Sequence, residues 1–145
     1  MKRTLLPPFT EALSSAIVRA AEEAWNTRNP AQVAQAYSKH SLWRNRDTFL
    51  VGHDQIIEFL TRKSSLELYC RLMKELWACT DNRISVRFEC EWQHANAGHG
   101  FRTHGKEHRA FDAEGYMTRR DMSANDIPIR SSERRIGVSI ETRGL

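Results

Sequence analysis

Between residues 66 and 127 apolar and polar positions alternate in four runs, Leu66–Cys79, Arg83–Gln93, Phe101–Asp112 and Gly115–Ile127. Turn-forming residues separate them: Thr80-Asp81-Asn82, Ala95-Asn96-Ala97-Gly98 and Asp112-Ala113-Glu114-Gly115. Such punctuation at intervals of about 8–12 residues predicts an antiparallel meander of four strands. The alternation is clearest in the second run. There Ile84, Val86, Phe88, Cys90 and Trp92 interleave with Arg83, Ser85, Arg87, Glu89, Glu91 and Gln93. Residues of one parity share a face of a strand, so one face is apolar and aromatic and the other is charged. Which face turns inward decides where chemistry can occur.

Upstream the period becomes helical. Thr10 is placed as an N-cap with Glu11 in the first turn, and Leu13, Ile17, Ala20, Ala21 and Ala24 recur on one side. That helix is expected to stop near Trp25-Asn26. Asn29-Pro30 opens a second, short helix with Val33, Ala34 and Tyr37 on its apolar side. Ser41 to Arg46 and Phe49-Leu50-Val51 read as short strands closed by Gly52. A third helix is expected from about Asp54 to Lys63, burying Ile56, Ile57, Phe59 and Leu60. Helices grouped first and strands last predict an α+β fold. Three helices cover only one face of a four-strand meander, so a strongly twisted sheet would wrap around them as a cone with an open mouth.

A chain of 145 residues is long enough for one domain with its own core. The expected division is a single domain over residues 1–130 and a basic tail over 131–145. Arg130, Arg134, Arg135 and Arg143 concentrate there. The net charge of +4 is otherwise dispersed, so nucleic acid is not an expected partner. No run approaches the roughly 18–20 apolar residues of a membrane span. The opening Met1-Lys2-Arg3-Thr4-Leu5-Leu6 meets Pro7-Pro8 at once, so no export signal is expected. Cys70, Cys79 and Cys90 have no C-x-x-C spacing and are expected as reduced, mostly buried thiols in a cytoplasmic protein.

Specific stretches carry a resemblance: Leu42-Trp43-Arg44-Asn45-Arg46, Lys74-Glu75-Leu76-Trp77, Asp81-Asn82-Arg83-Ile84, Val86-Arg87-Phe88-Glu89 and Asn125-Asp126, with Gly52 ahead of Ile56-Ile57. From Thr10 to about Ile129 the chain resembles the nuclear transport factor 2-like, or SnoaL-like, superfamily, and within it a group of uncharacterised proteins. The resemblance implies a cone of three N-terminal helices packed in a curved mixed or antiparallel sheet, and homodimers paired through the sheet's outer face. It leaves activity open, because the fold hosts isomerases, dehydratases, cyclases, hydrolases and plain binding modules. Limonene epoxide hydrolase is similar at two places: its Tyr-x-Asn falls on Trp43-x-Asn45 and its Arg-x-Asp on Arg87-x-Glu89. Its third catalytic acid would fall near Met122, with Asp121 on the opposite face. The general base of ketosteroid isomerase falls on Asn45.

Candidate catalytic residues are therefore Arg87, Glu89 and Glu107, and candidate ligand-binding residues Trp43, Asn45 and Met122. Arg87 and Glu89 share a face and can pair, and an inward pair would prepare its carboxylate for proton transfer. The residue pattern admits either face; the resemblance favours the inward one, with Val86, Phe88 and Trp92 at a dimer surface. Glu107 shares a face with Phe101, Thr103, Gly105 and Phe111, as a partly buried acid would, and Gly105 would leave room for a ligand. Trp43 and Asn45 offer an aromatic wall and an amide that both donates and accepts. His104 and His108 share a strand face but would lie roughly 13 Å apart, so no metal is expected. The expected function is small-molecule binding in a polar-lined cavity of a homodimer, without a cofactor. It is either acid–base catalysis or a non-catalytic ligand-binding or dimerisation module.

Overall fold

The computed structural model describes residues 5–136. Helix α1 spans Glu11–Asn26, and Thr10 caps it by accepting the Leu13 N–H at 3.1 Å. Asn29 likewise accepts the Gln32 N–H at 3.2 Å and opens α2, Pro30–Ala34. Strands β1 (Tyr37–Asn45) and β2 (Thr48–Val51) precede α3 (Gly52–Leu66). The meander follows as β3 (Glu67–Thr80), β4 (Arg83–His94), β5 (Gly100–Phe111) and β6 (Met117–Ile129). Tyr37 differs from expectation: it begins β1 opposite Met117 and is buried, because α2 ends after a single turn.

One sheet contains all six strands in the order β2-β1-β6-β5-β4-β3. Among the described residues only β1 and β6 run parallel; the other neighbours are antiparallel. The architecture is the expected α+β arrangement of three helices against one face of a curved, mixed sheet. Cross-strand partners share a face. The inner, helix-facing set therefore runs Trp43–Arg120, Asn45–Met122–Glu107–Val86 and Gly105–Phe88–Lys74 across the ladders. Ile17, Val18, Val33, Ile56 and Leu60 pack against Trp43, Ile84 and Val86 as the main core.

β3 is a sheet edge, and α1 takes up its free backbone groups. The Asn26 amide donates to Leu72 O at 3.0 Å and accepts the Leu72 N–H at 2.9 Å, and Glu22 accepts the Lys74 N–H at 2.7 Å. Glu22 and Asn26 lie one helical turn apart and so reach the same edge. This pairing blunts the edge and locks α1 over the inner face.

Arg87 and Glu89 are on the outer face, which corrects the inward orientation expected of them. The reason is burial: Ile84, Val86, Phe88, Cys90 and Trp92 are all inside, and a strand cannot bury both parities under one helical layer. Phe88 and Trp92 are therefore unavailable to the dimer surface expected of them. The outer charges are nonetheless partly covered. Residues 131–136 cross β4, and Glu91 accepts the N–H groups of Arg135 and Ile136 at 2.9 and 2.8 Å and the Arg102 Nε at 2.8 Å. Glu89 pairs with Arg87 at 2.7 Å and with Arg135. Burial alone would raise both carboxyls; these hydrogen bonds and charges outweigh it and hold Glu89 and Glu91 below their ordinary value. Arg143 and residues 1–4 lie outside the described residues. No helix among the described residues is long and apolar enough to cross a membrane.

Candidate functional site

On the inner face, one carboxylate is surrounded by three cations. Glu107 accepts Lys74 Nζ at 2.9 Å and Arg109 Nε at 2.6 Å on Oε1, and Arg120 Nε at 3.0 Å on Oε2. All four side chains are between 0 and 3 % exposed. Alternation puts them there: Lys74 lies between Leu72 and Leu76 in parity, Arg109 two positions beyond Glu107, and Arg120 two before Met122. Burial would raise the Glu107 carboxyl, but Arg109, Lys74 and Arg120 overcome it and hold it well below the usual range. Lys74 moves the other way. Burial lowers it, Arg109 lowers it further, and Glu107 offsets only part, leaving it at about 7.

Aromatic faces supply the rest of the cluster's environment. Arg120 lies 4.6 Å from the Trp43 ring and 5.2 Å from Trp25, which stack on each other at 6.1 Å. Lys74 lies 5.1 Å from Trp25 and 5.7 Å from Phe88. Ring faces are electron-rich, so these contacts moderate the excess positive charge. Buried donors are still left over: Asn45 Nδ2, Trp43 Nε1, Arg109 Nη1 and Arg120 Nη1 have no hydrogen-bond partner. Each orphaned buried donor costs about 1–3 kcal/mol. A site with surplus donors and surplus positive charge is built for an acceptor, and an anionic one above all.

A cavity of about 50 Å³ opens onto this cluster, lined by Asn45, Lys74, Phe88, Arg120 and Met122, together with Cys70 and Cys90. At roughly 10–15 Å³ for each water-sized site, it holds about three to five non-hydrogen atoms. Of the residues singled out from sequence, the structure brings Trp43, Asn45, Glu107 and Met122 together on this inner face. It does not bring Arg87 and Glu89 there. Gly105 leaves no space for a ligand, since the Phe88 ring fills it: a Cβ at Gly105 would sit 2.0 Å from Phe88 Cζ. Lys74, Arg109, Arg120 and Trp25 were missed, although the parity shared with Glu107 and Met122 pointed to both arginines.

His104 and His108 lie on the outer face, where the His108 ring meets Ser85 at 2.8 Å. The metal-capable grouping among the described residues is Glu67, Cys70 and Cys90, with ligand atoms within 4.8 Å of one another. Lys63 is paired with one oxygen of the Glu67 carboxylate.

A curved sheet holding its polar cluster against three helices is the nuclear transport factor 2-like arrangement, and solved structures agree. A ketosteroid isomerase-like-fold protein from Catenulispora acidiphila, in complex with trimethylamine, superposes with TM-score 0.67 at 14% identity over 74% of this chain and 83% of its own. SalBIII, an epoxide hydrolase/cyclase-like enzyme of pyran ring formation in salinomycin, gives TM-score 0.70 at 11% identity over 79% and 92%. A SnoaL-like polyketide cyclase from Shewanella denitrificans gives 0.68 at 14% over 78% and 90%. The chain belongs to the family described as protein of unknown function, DUF1348, whose model matches residues 7–137. No curated protein matches it.

Proposed function

We propose that the inner cavity binds a small organic molecule whose oxygen carries or develops negative charge, a short carboxylate or an enolisable carbonyl compound. The observation that supports this most is the surplus of donors beside the cavity: Asn45 Nδ2 and Arg120 Nη1 are buried and unpartnered, and three cations share one carboxylate. An anion there would balance charge and satisfy both donors. Phe88 and Met122 supply the apolar walls.

In this reading catalysis needs no cofactor, and Lys74 moves the proton. With its pKa lowered to about 7, the amine can shed its proton near neutral pH and accept one from carbon next to a carbonyl. Arg120 and Asn45 then face the oxygen on which charge develops. Glu107 is the counter-ion that holds the cations in place. Both its oxygens are taken by cations, and it does not itself line the cavity. The same saturation favours the second reading, a binding module that captures an anion without turning it over. Ligand released from the purified protein by denaturation and identified by mass spectrometry tests the shared claim. A short organic acid or an enolisable carbonyl compound supports it; a cationic ligand, or one without an acceptor oxygen, contradicts it.

The proposal keeps a homodimer but moves its surface to Leu42, Phe49 and Val51. These neighbours on the outer face of β1 and β2 are 50, 74 and 52 % exposed. Light scattering should give about twice 16.8 kDa; the single-chain mass would exclude it.

A further inference from the structure

Cys70 and Cys90 face each other across the β3–β4 ladder with their sulfurs 3.0 Å apart, and both line the cavity. Tyr69 puts them there. Its φ of 56° and the register shift between Leu68 and Arg71 bulge the strand and turn Cys70 inward, diagonal to Cys90. A disulfide bond is about 2.0 Å long, so the sulfurs need to close by only about 1 Å. The bulged strand can supply that movement more readily than a regular ladder. Cys70 is half-buried and borders a second cleft beside Trp25 and Lys63, whereas Cys90 is buried.

We propose that Cys70 and Cys90 are a redox-active dithiol, with Cys70 attacking hydroperoxides that enter the cavity and Cys90 resolving the product as a cross-strand disulfide. The Cys70 thiolate attacks one peroxide oxygen: the S–O bond forms, the O–O bond breaks, and the leaving hydroxide or alkoxide takes a proton to become water or an alcohol. The Cys90 sulfur then attacks Cys70, the S–S bond forms, the S–O bond breaks, and hydroxide leaves as water with the Cys90 proton. The two sulfurs together lose two electrons and the peroxide gains them. A dithiol reductant restores the pair by exchange. The roles follow the environment. The Cys90 S–H hydrogen bond and the Lys63 charge lower the Cys70 thiol despite its burial, while the same hydrogen bond and burial raise Cys90 well above its usual value.

The test is independent of the anion reading. Reduced protein is exposed to hydrogen peroxide, denatured, alkylated with iodoacetamide and weighed intact, with peptide mapping. Reduced protein should take three alkyl groups, and oxidised protein one, on Cys79, with a Cys70–Cys90 peptide that dithiothreitol cleaves. In Cys90→Ser, Cys70 should stop at the sulfenic acid, captured by dimedone; in Cys70→Ser, Cys90 should stay reduced over the same exposure. Full alkylation after exposure, oxidation of Cys79 ahead of Cys70, or stoichiometric zinc that protects the thiols would overturn the proposal. The wild-type measurement decides it even if a variant fails to fold.

Discussion

Lys74 and Glu107 meet at 2.9 Å with side chains 1 and 0 % exposed, and the pair is unbalanced by two further buried arginines. Taking charge out of water is costly, and one carboxylate cannot fully compensate three cations. The fold relieves part of the excess by letting Lys74 lose its proton.

That relief has a pH signature. Lysine titrates near 10.5 in the unfolded chain and at about 7 in the fold. Between those values unfolding takes up a proton, so stability rises with pH across that window and is flat on either side of it. Thermal unfolding followed from neutral to alkaline pH should show this rise in the wild type. Lys74→Met should lose it, and the difference between the two curves isolates Lys74. Parallel curves would mean that the amine stays charged.

Two glutamates separate the inner and outer faces. Glu107→Gln strands three buried cations and should cost on the order of 3–5 kcal/mol. The Glu107 contribution is complete above its unfolded value of 4.5 and is lost as pH falls through its depressed folded value. Glu89→Gln removes the charge from a carboxylate whose partners Arg87 and Arg135 are 36 and 43 % exposed, and should cost about 1 kcal/mol or less, screened by salt. Denaturant titration of both variants at low and high salt checks the contrast. Equal losses would return Arg87 and Glu89 to consideration as site residues.

The alternation that exposed these roles was legible, but its sense was not. Val86 and Glu107 are cross-strand partners, so an apolar Val86 inside requires a charged Glu107 inside. Parity within β4 offered two faces; only the helical layer, with Trp25 and Ile56 on one side, decides between them. The helix caps at Thr10 and Asn29 and the turns of the meander were readable because capping and turn chemistry are local. The Lys74–Glu107–Arg109–Arg120 cluster was not, since it joins three strands at sequence separations of up to 46 positions. Cys70 and Cys90 are brought together by the Tyr69 bulge, which no spacing rule marks.

Phe88 and Gly105 predict a shape effect. The ring occupies the space of a missing Cβ, with Phe88 Cζ 2.0 Å from where that atom would stand. Gly105→Ala must push Phe88 into the cavity or distort the ladder, at about 1–3 kcal/mol. Adding Phe88→Leu should recover much of the loss. A neutral single substitution would show that the ring is free to move.

Asn26 predicts an edge effect. Its two hydrogen bonds to Leu72 join α1 to β3, so Asn26→Ala should cost about 1–3 kcal/mol. It should also speed amide hydrogen exchange at Leu72 and Lys74 ahead of the neighbouring strands. Unchanged exchange would place the coupling of α1 to the sheet elsewhere.

Calorimetric titration with propionate and propionamide, in two buffers of different ionisation enthalpy near neutral pH, tests the anion site most directly. The two probes match in size and differ in charge, and an anion beside Lys74 raises a pKa that stands at about 7. Propionate should therefore bind with uptake of a proton and about ten-fold or more tightly than the amide, a difference of roughly 1.4 kcal/mol. Equal affinities for acid and amide, or propionate binding without proton uptake, would contradict it.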